Sequence, residues 1–389
     1  MSPVTVVPAR TRQQQRDFLD LPAAIYRDDP VWIPALRMNV RELVGFARHP
    51  FHEENELQAF VAYRDGRPVG RIVAIVNNAH IQRYKDRRGF FGFFESQDDQ
   101  EVADGLFGTV RDWLAQRDIH DMRGPANPTL NYECGLLIDG FDTSPYFMMT
   151  HNPPYYARLT EAFGFRKTQD MYAFGAHVEM LWSLDAKLQV ICEESKRRLN
   201  IHSRSMNRRR FDEEVRTFLR IYNDSLGGTW GYTPLSEREI VHLSRSLKML
   251  IVPELSSIAE VDGKVIGASF VMLDYNPRIK QINGRLFPFG FLRLLWNKRG
   301  IKRIRLISTN VVPEYQRWGV GLVLMQNLIA PVLNWGVKDV EFSWVLETNT
   351  LSAGTLRRGG AKITKTYRLY DYGPTPDPQA YLTARVAGK

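Results

Sequence analysis

The stretch VVPEYQRWGVG, Val311 to Gly321, sets a proline, a glutamine and two closely spaced glycines directly after an aliphatic run. Upstream, IRLISTNVV (Ile304 to Val312) reads as a buried strand. Downstream, VLMQNLIAPVLNWG (Val323 to Gly336) reads as a helix ending at a glycine, with Pro331 as a kink. The turn therefore stands at a helix N-terminus, where unpaired N–H groups and the helix dipole favour negative charge, and a pyrophosphate is a natural ligand. Gly319 and Gly321 let phosphates approach without a Cβ in the way. Two nucleotide loops are excluded by spacing. GxxxxGK[ST] is absent, and Leu324 stands where a dinucleotide fingerprint needs its third glycine.

Working outward, the strand before this turn follows a hairpin, SIAEVDGKVIGASFVMLDY (Ser257 to Tyr275), that is echoed by FVAYRDGRPVGRIVAIVNN (Phe60 to Asn78). Each has alternating apolar residues, an Asp-Gly turn and a second strand entered through a Val/Ile-Gly pair. Asp65 and Asp262 are 197 residues apart, as are Gly70 and Gly267. A second echo closes each half: NPPYYARLTEAFGFRKTQDMYAF from Asn152 and NTLSAGTLRRGGAKITKTYRLYDY from Asn349 both read as a short helix, a glycine stop (Gly164, Gly360) and a strand. The chain thus reads as two copies of one α/β unit, residues 1–180 and 181–389, with a connecting helix over 184–200. Hairpin strands followed by strand-helix alternation predict a mixed α+β sheet with helices on both faces.

At 389 residues, 44% hydrophobic and 24% charged, the chain has the material for two cored domains. Its two cysteines, Cys134 and Cys192, form no CxxC or cysteine-histidine cluster, so neither a disulfide framework nor a metal site is expected. The N-terminal residues lack a signal-peptide core and no run reaches the ~20 apolar residues of a membrane span. A cytoplasmic protein is expected. The net charge of +9 points to anionic partners. KRRLNIHSRSMNRRR (Lys196 to Arg210) has no interleaved aromatics, which reads as a solvated face rather than a nucleic-acid site.

Val311, Pro313, Gln316, Gly319 and Gly321 give V-x-P-x-x-Q-x-x-G-x-G, which resembles the coenzyme A pyrophosphate loop of the GNAT acyltransferases. SWVLETNTLSAGTLRRGGAK resembles that family's next strand and its Asn-to-Gly helix. The resemblance implies two tandem GNAT-like lobes and an acyl-CoA or acetyl-CoA thioester as co-substrate. It implies a coenzyme site formed by Asn310, Val311, Val312, Gln316, Arg317, Trp318, Gly319, Val320, Gly321 and Asn349. The first half carries GFFGFFESQDDQEVADGLF where the loop belongs, so it is expected to bind no coenzyme. In this family an amine attacks the thioester directly after losing its proton to a base or to water. Glu341, Ser343 and Glu347 are expected near the opening. The family's frequent tyrosine acid is replaced by Leu356, which leaves Tyr367, Tyr370 and Tyr372 as substitutes; Glu341, Glu347, Tyr367 and Tyr370 form the catalytic set, beside the alternative that the tyrosines only pack.

Two further segments bear on the acceptor. The long loop RGPANPTLNYECGLLIDGFDTSPYFMMTHNPPYY (Arg123 to Tyr156) is too apolar for disorder, and Asn131, Tyr132 and Glu133 in it read as an acceptor wall between the lobes. NGRLFPFGFLRLLWNKRGIKRIRL (Asn283 to Leu306) is aromatic and aliphatic with a cationic rim, the composition of an anionic-membrane contact or the mouth of a lipid cleft, with Phe289 and Trp296 as substrate contacts; a core segment is the alternative. Nearly the full chain resembles the bacterial tandem GNAT group that includes bacterial ceramide synthases, which implies transfer of a long acyl chain to a sphingoid-type amine. Acetyl transfer to a small amine or protein lysine, and non-catalytic coenzyme or lipid binding, are the competing readings.

Overall fold

The computed structural model describes residues 2–183 and 186–373. The first half contains β1 (Thr5–Pro8), α1 (Arg12–Ile25), α2 (Arg37–Leu43), β2 (Glu56–Arg64), β3 (Arg67–Val76), α3 (Asn78–Tyr84), β4 (Arg88–Ser96), α4 (Gln100–Ala115), β5 (Asp121–Gly124), β6 (Ala126–Asn127), β7 (Glu133–Cys134), β8 (Leu136–Asp139), α5 (Tyr155–Phe163) and β9 (Arg166–His177). The second contains α6 (Ala186–Leu199), β10 (His202–Arg204), α7 (Phe211–Ser225), α8 (Glu237–Leu247), β11 (Ser256–Val261), β12 (Lys264–Leu273), α9 (Asn276–Gln281), α10 (Gly290–Leu295), β13 (Arg303–Val311), α11 (Val320–Trp335), β14 (Asp339–Leu346), α12 (Thr350–Arg358) and β15 (Lys362–Tyr372). The connecting helix is α6; residues 184 and 185 of its expected span lie outside the described residues.

The duplicated hairpins are present with their turns. Asp65 and Asp262 both take φ of 51° and are followed by Gly66 at 72° and Gly263 at 74°, the two left-handed residues that a two-residue hairpin turn requires. The Val/Ile-Gly repeat also has a packing cause. A Cβ on Gly70 would lie 2.7 Å from Leu106 of α4, and one on Gly267 would lie 3.1 Å from Leu324 of α11. In each half the glycine lets one long helix sit close on the sheet.

One sheet of thirteen strands runs through the described residues in the order β1-β2-β3-β4-β5-β15-β9-β14-β13-β12-β11-β10, with β8 also on β15. The closing strands are exchanged. β9 of the first half pairs with β14 of the second, and β15 of the second half pairs with β5 and β8 of the first. β9 and β15 lie antiparallel at the centre, from Lys362 opposite Gly175 to Asp371 opposite Arg166. Ion pairs pin the exchange. Arg123 of β5, fully buried, donates to both oxygens of Asp371 at 2.7 and 2.8 Å, and Arg88 joins them at 2.8 Å. Arg368 of β15 holds Asp170 of β9 at 2.8 and 3.1 Å. Helices cover both faces: in the second half α11, apolar nearly all round, lies between the sheet and α6, while Phe218 of α7 stacks 4.3 Å from Phe270 on the other face.

Candidate active site

β13 and β14 run parallel and paired from Arg303–Asp339 to Leu306–Phe342, and then part. The cause is local. Phe270 faces Ser308 and Val271 faces Leu306, so Ile307 has no partner on β12 and forms a bulge that bends the strand away. Leu306, Ile307, Ser308 and Thr309 stay partly accessible in the middle of a thirteen-strand sheet, which marks a gap. The Val312 amide donates to the Ile266 carbonyl at 3.0 Å, and antiparallel alternation therefore turns the amides of Val311 and Thr309 toward the gap. Of Asn310, Val311 and Val312, only Val311 aims its N–H there. The buried Asn310 side chain instead accepts from Ser225 at 3.1 Å and donates to Ser308 at 2.8 Å.

The glycine loop closes one end of the gap. Gln316 donates to the carbonyls of Ser225 (3.0 Å) and Val311 (3.1 Å), tying the loop to the end of α7 and to β13. Gly319 takes φ of 74°, and a Cβ there would meet Ser195 Oγ of α6 at 2.4 Å, so this glycine serves the backbone turn and helix packing. At Gly321 a Cβ would meet only Thr309, at 3.7 Å, and space is open. No side chain caps α11 and its first turn, Val320 included, holds no acid. Trp318 is 40% exposed with the Arg198 guanidinium 4.6 Å from its ring, and Arg317 is exposed beside it. The first half is built the opposite way. Asp99 caps α4 through the Glu101 amide and pairs with Arg64, so carboxylates occupy the helix start. The gap beside β4 holds β6: the Asn127 oxygen accepts from the Phe93 amide at 2.6 Å, and a Cβ on Gly92 would overlap the Ala126 carbonyl.

A buried polar cluster lies at the base of the splay. Arg305 of β13 donates from Nε to Ser343 Oγ (2.8 Å), from Nη2 to the Ser343 carbonyl (3.1 Å), and from Nη1 to the carbonyls of Phe147 (3.2 Å) and Met148 (3.1 Å). Ser343 donates to Glu341 at 2.7 Å. Glu341 and Ser343 are thus buried beneath the opening rather than lining it; burial raises the Glu341 carboxyl, against the pull of Arg305. The Tyr367 hydroxyl is buried beside this pair and has no hydrogen-bond partner among the described residues. Arg305 was missed in the sequence, where its signal is a cation at an inward position of the apolar run RIRLIS.

The acceptor-wall residues meet the second half. Asn131 donates to the Thr233 carbonyl at 2.7 Å and accepts from the Tyr222 hydroxyl at 3.2 Å, while Tyr132 donates to Glu239, the capping-box residue of α8, at 3.3 Å. Glu133 is half-buried at the junction of the two halves. Its carboxylate makes no hydrogen bond among the described residues. Burial pushes it up to about 7, with Arg305 opposing. Burial also raises the thiol of neighbouring Cys134, which is inert in that state.

Other expected site residues are placed elsewhere. Glu347 accepts from the Asp170 amide (3.0 Å) and from Lys167 (2.8 Å). Tyr370 donates to Glu161 at 2.9 Å within the first half's core. Asn349 caps α12 by accepting from the Ser352 amide at 3.1 Å. Phe289 and Trp296, at 72% and 78% exposure, stand on the outer surface. Among the described residues no group of His, Cys, Asp and Glu could hold a metal ion, and no helix is long and apolar enough to cross a membrane.

No family model matches the chain. It is 35% identical to Protein YghO of Escherichia coli over 360 residues, 91% of each chain. It is 33% identical to the bacterial ceramide synthase of Caulobacter vibrioides over 381 residues, 95% of this chain and 97% of that one. Among solved structures it resembles a tandem GNAT protein from the clavulanic acid biosynthesis pathway, with a TM-score of 0.55 at 13% identity over 96% of this chain and 99% of that one. It also resembles a GCN5-related N-acetyltransferase from Sphaerobacter thermophilus, with a TM-score of 0.52 at 15% identity over 97% and 99%. The fold is that of the tandem GNAT proteins.

Proposed function

The chain belongs to the family of the bacterial ceramide synthase and Protein YghO, and from that membership and its tandem GNAT fold we propose that it is an acyl-CoA-dependent N-acyltransferase whose acceptor is a lipid amine. The observation that carries the reading is the pairing of a bulge-driven strand splay with an uncapped, glycine-led helix start in the second half alone. The fit to coenzyme A rests on that start: amides without a side-chain cap, open space at Gly321 and two cations, Arg198 and Arg317, beside it suit a pyrophosphate. Bound there, the coenzyme supplies a thioester carbonyl activated toward amines.

The chain's own residues do the rest. The free edge of β13 offers the Val311 and Thr309 amides as donors along the gap. Glu133, ionised above about pH 7, takes the proton of the incoming ammonium. Arg305, fixed by Ser343 and by the carbonyls of Phe147 and Met148, holds positive charge opposite Glu133 and is itself steadied by Glu341. A long acyl chain would gain about 0.8 kcal/mol for each CH₂ it buries, and half-buried apolar side chains such as Met148 and Leu306 flank the base of the splay. The relative's name supports a sphingoid-type base as acceptor.

The test is thiol release and product analysis with palmitoyl-CoA and acetyl-CoA, each against a sphingoid base and against a small polyamine. A lipid amide formed from palmitoyl-CoA is expected. Turnover of acetyl-CoA with polyamine, and none with the lipid amine, overturns the lipid acceptor and leaves an acetyltransferase; no coenzyme A binding at all overturns the enzyme.

A further inference from the structure

The stretch from Arg278 in α9 to Arg305 in β13 is cationic throughout. Between Arg278 and Arg305 it contains nine Lys and Arg and no Asp or Glu. That excess of nine equals the net charge of the whole chain, +9, although Lys196 to Arg210, with seven Lys and Arg, is also free of acids. Arg305 is buried and Arg303 faces Asp274 at 3.5 Å, while the others stand toward the surface. Arg285 and Arg293 are exposed and make no ion pair among the described residues.

Among the described residues the same segment carries the most exposed phenylalanine and tryptophan side chains. Phe287 is 70% exposed, Phe289 72% and Trp296 78%, with Leu292 at 54%. Their exposure is built into a fixed backbone. Leu294 is buried as the inward anchor of α10, and Arg278 of α9 clamps its end by donating to the carbonyls of Leu294 (2.9 Å), Asn297 (2.7 Å) and Trp296. The loop before it is fastened to the first half, where the Arg37 amide donates to the Gly284 carbonyl at 3.0 Å. A cavity of about 700 Å³ opens beside α10, lined by Leu292 and Trp296 at its apolar side and by Arg278, Arg293, Lys302 and Arg303, four cations against the one carboxylate of Asp274.

We propose that this face docks on an anionic bilayer, with Phe287, Phe289, Leu292 and Trp296 entering the interface, the surrounding cations on the phosphates and the cavity receiving a lipid headgroup. The charge complementarity selects the partner: an unscreened cationic rim around apolar aromatics matches phosphate over hydrocarbon. Each Lys or Arg near an anionic surface strengthens binding roughly fivefold, and ionic screening weakens it. The inference deepens the lipid reading above, because such docking brings the site to a membrane-held amine.

The experiment is co-sedimentation of the full chain with vesicles of phosphatidylcholine alone or with about one third phosphatidylglycerol. Wild type is compared with F289S/W296S and R285E/R293E, and circular dichroism with urea midpoints checks that each variant is folded. Wild type is expected on the anionic vesicles only, less so at high salt, with each double variant weaker by about tenfold or more. Three results overturn the proposal: no vesicle binding by wild type, unchanged binding by both folded variants, or a wild-type dimer dissolved by F289S/W296S without vesicle binding, which makes the face a contact between copies. Vesicle binding needs neither acyl donor nor acceptor, so its failure is separate from failure of the lipid-amine assay.

Discussion

Glu133 and Arg305 show how one residue's environment sets its chemistry. A carboxylate without a hydrogen-bond partner among the described residues, and lifted by burial to about 7, is costly to the fold when ionised. Its folded-state affinity lies above the unfolded value, so it lowers stability as pH rises from about 4.5 through about 7. Its use as a proton acceptor has the opposite sense: the ionised form is lost as pH falls through about 7. Glu133→Gln should therefore flatten the acidic limb of the kcat/KM profile and lower kcat by about 10²- to 10⁴-fold. The variant should also melt higher than wild type at pH 8 and equally at low pH. An unchanged pH profile would leave Glu133 as wall alone. The residue was legible as part of an acceptor wall; its isolation was not, because hydrogen-bond partners come from distant strands.

At the scale of elements, the loop and helix that begin at Gly319 separate two roles that look alike in a GxG pair. Gly319→Ala should cost about 1–2 kcal/mol for the left-handed backbone alone, and more for the Ser195 clash, which Ser195→Gly should partly restore; urea midpoints read this. Gly321→Glu should leave stability near wild type, since an acid in the first turn suits the helix dipole, yet abolish coenzyme A binding in calorimetry by placing a carboxylate at the anion position. Equal coenzyme binding by Gly321→Glu and wild type would move the pyrophosphate away from α11. The same contrast accounts for the first half, where Asp99 and Glu101 already occupy the equivalent helix start.

At the scale of the molecule, the exchange of β9 and β15 makes each half depend on the other. Asp371, on the last described strand, is the carboxylate partner of Arg88 and Arg123 in the other half. Asp371→Ala should cost about 1.5–3 kcal/mol, the scale of hydrogen bonds lost to a charged group, since Arg88 keeps Asp86 at 3.9 Å, and should lower the whole transition rather than split it; a loss confined to one half would argue against the exchange as the coupling element. What the sequence by itself determined was local: alternation and Asp-Gly turns encoded the hairpins, their equal spacing encoded the duplication, and a strand followed by glycines encoded a helix start suited to an anion. Those features depend on residues a few positions apart, whose backbone preferences and pleat or helix periods are written in order along the chain. Only the tertiary structure decided which half's last strand completes which sheet, that Glu341 is buried under the gap, that Glu347 bonds to Lys167 and Tyr370 to Glu161, and that Glu133 comes within electrostatic reach of Arg305. Most of those outcomes join residues well over a hundred positions apart, and no local preference distinguishes a strand that folds back on its own half from one that crosses to the other.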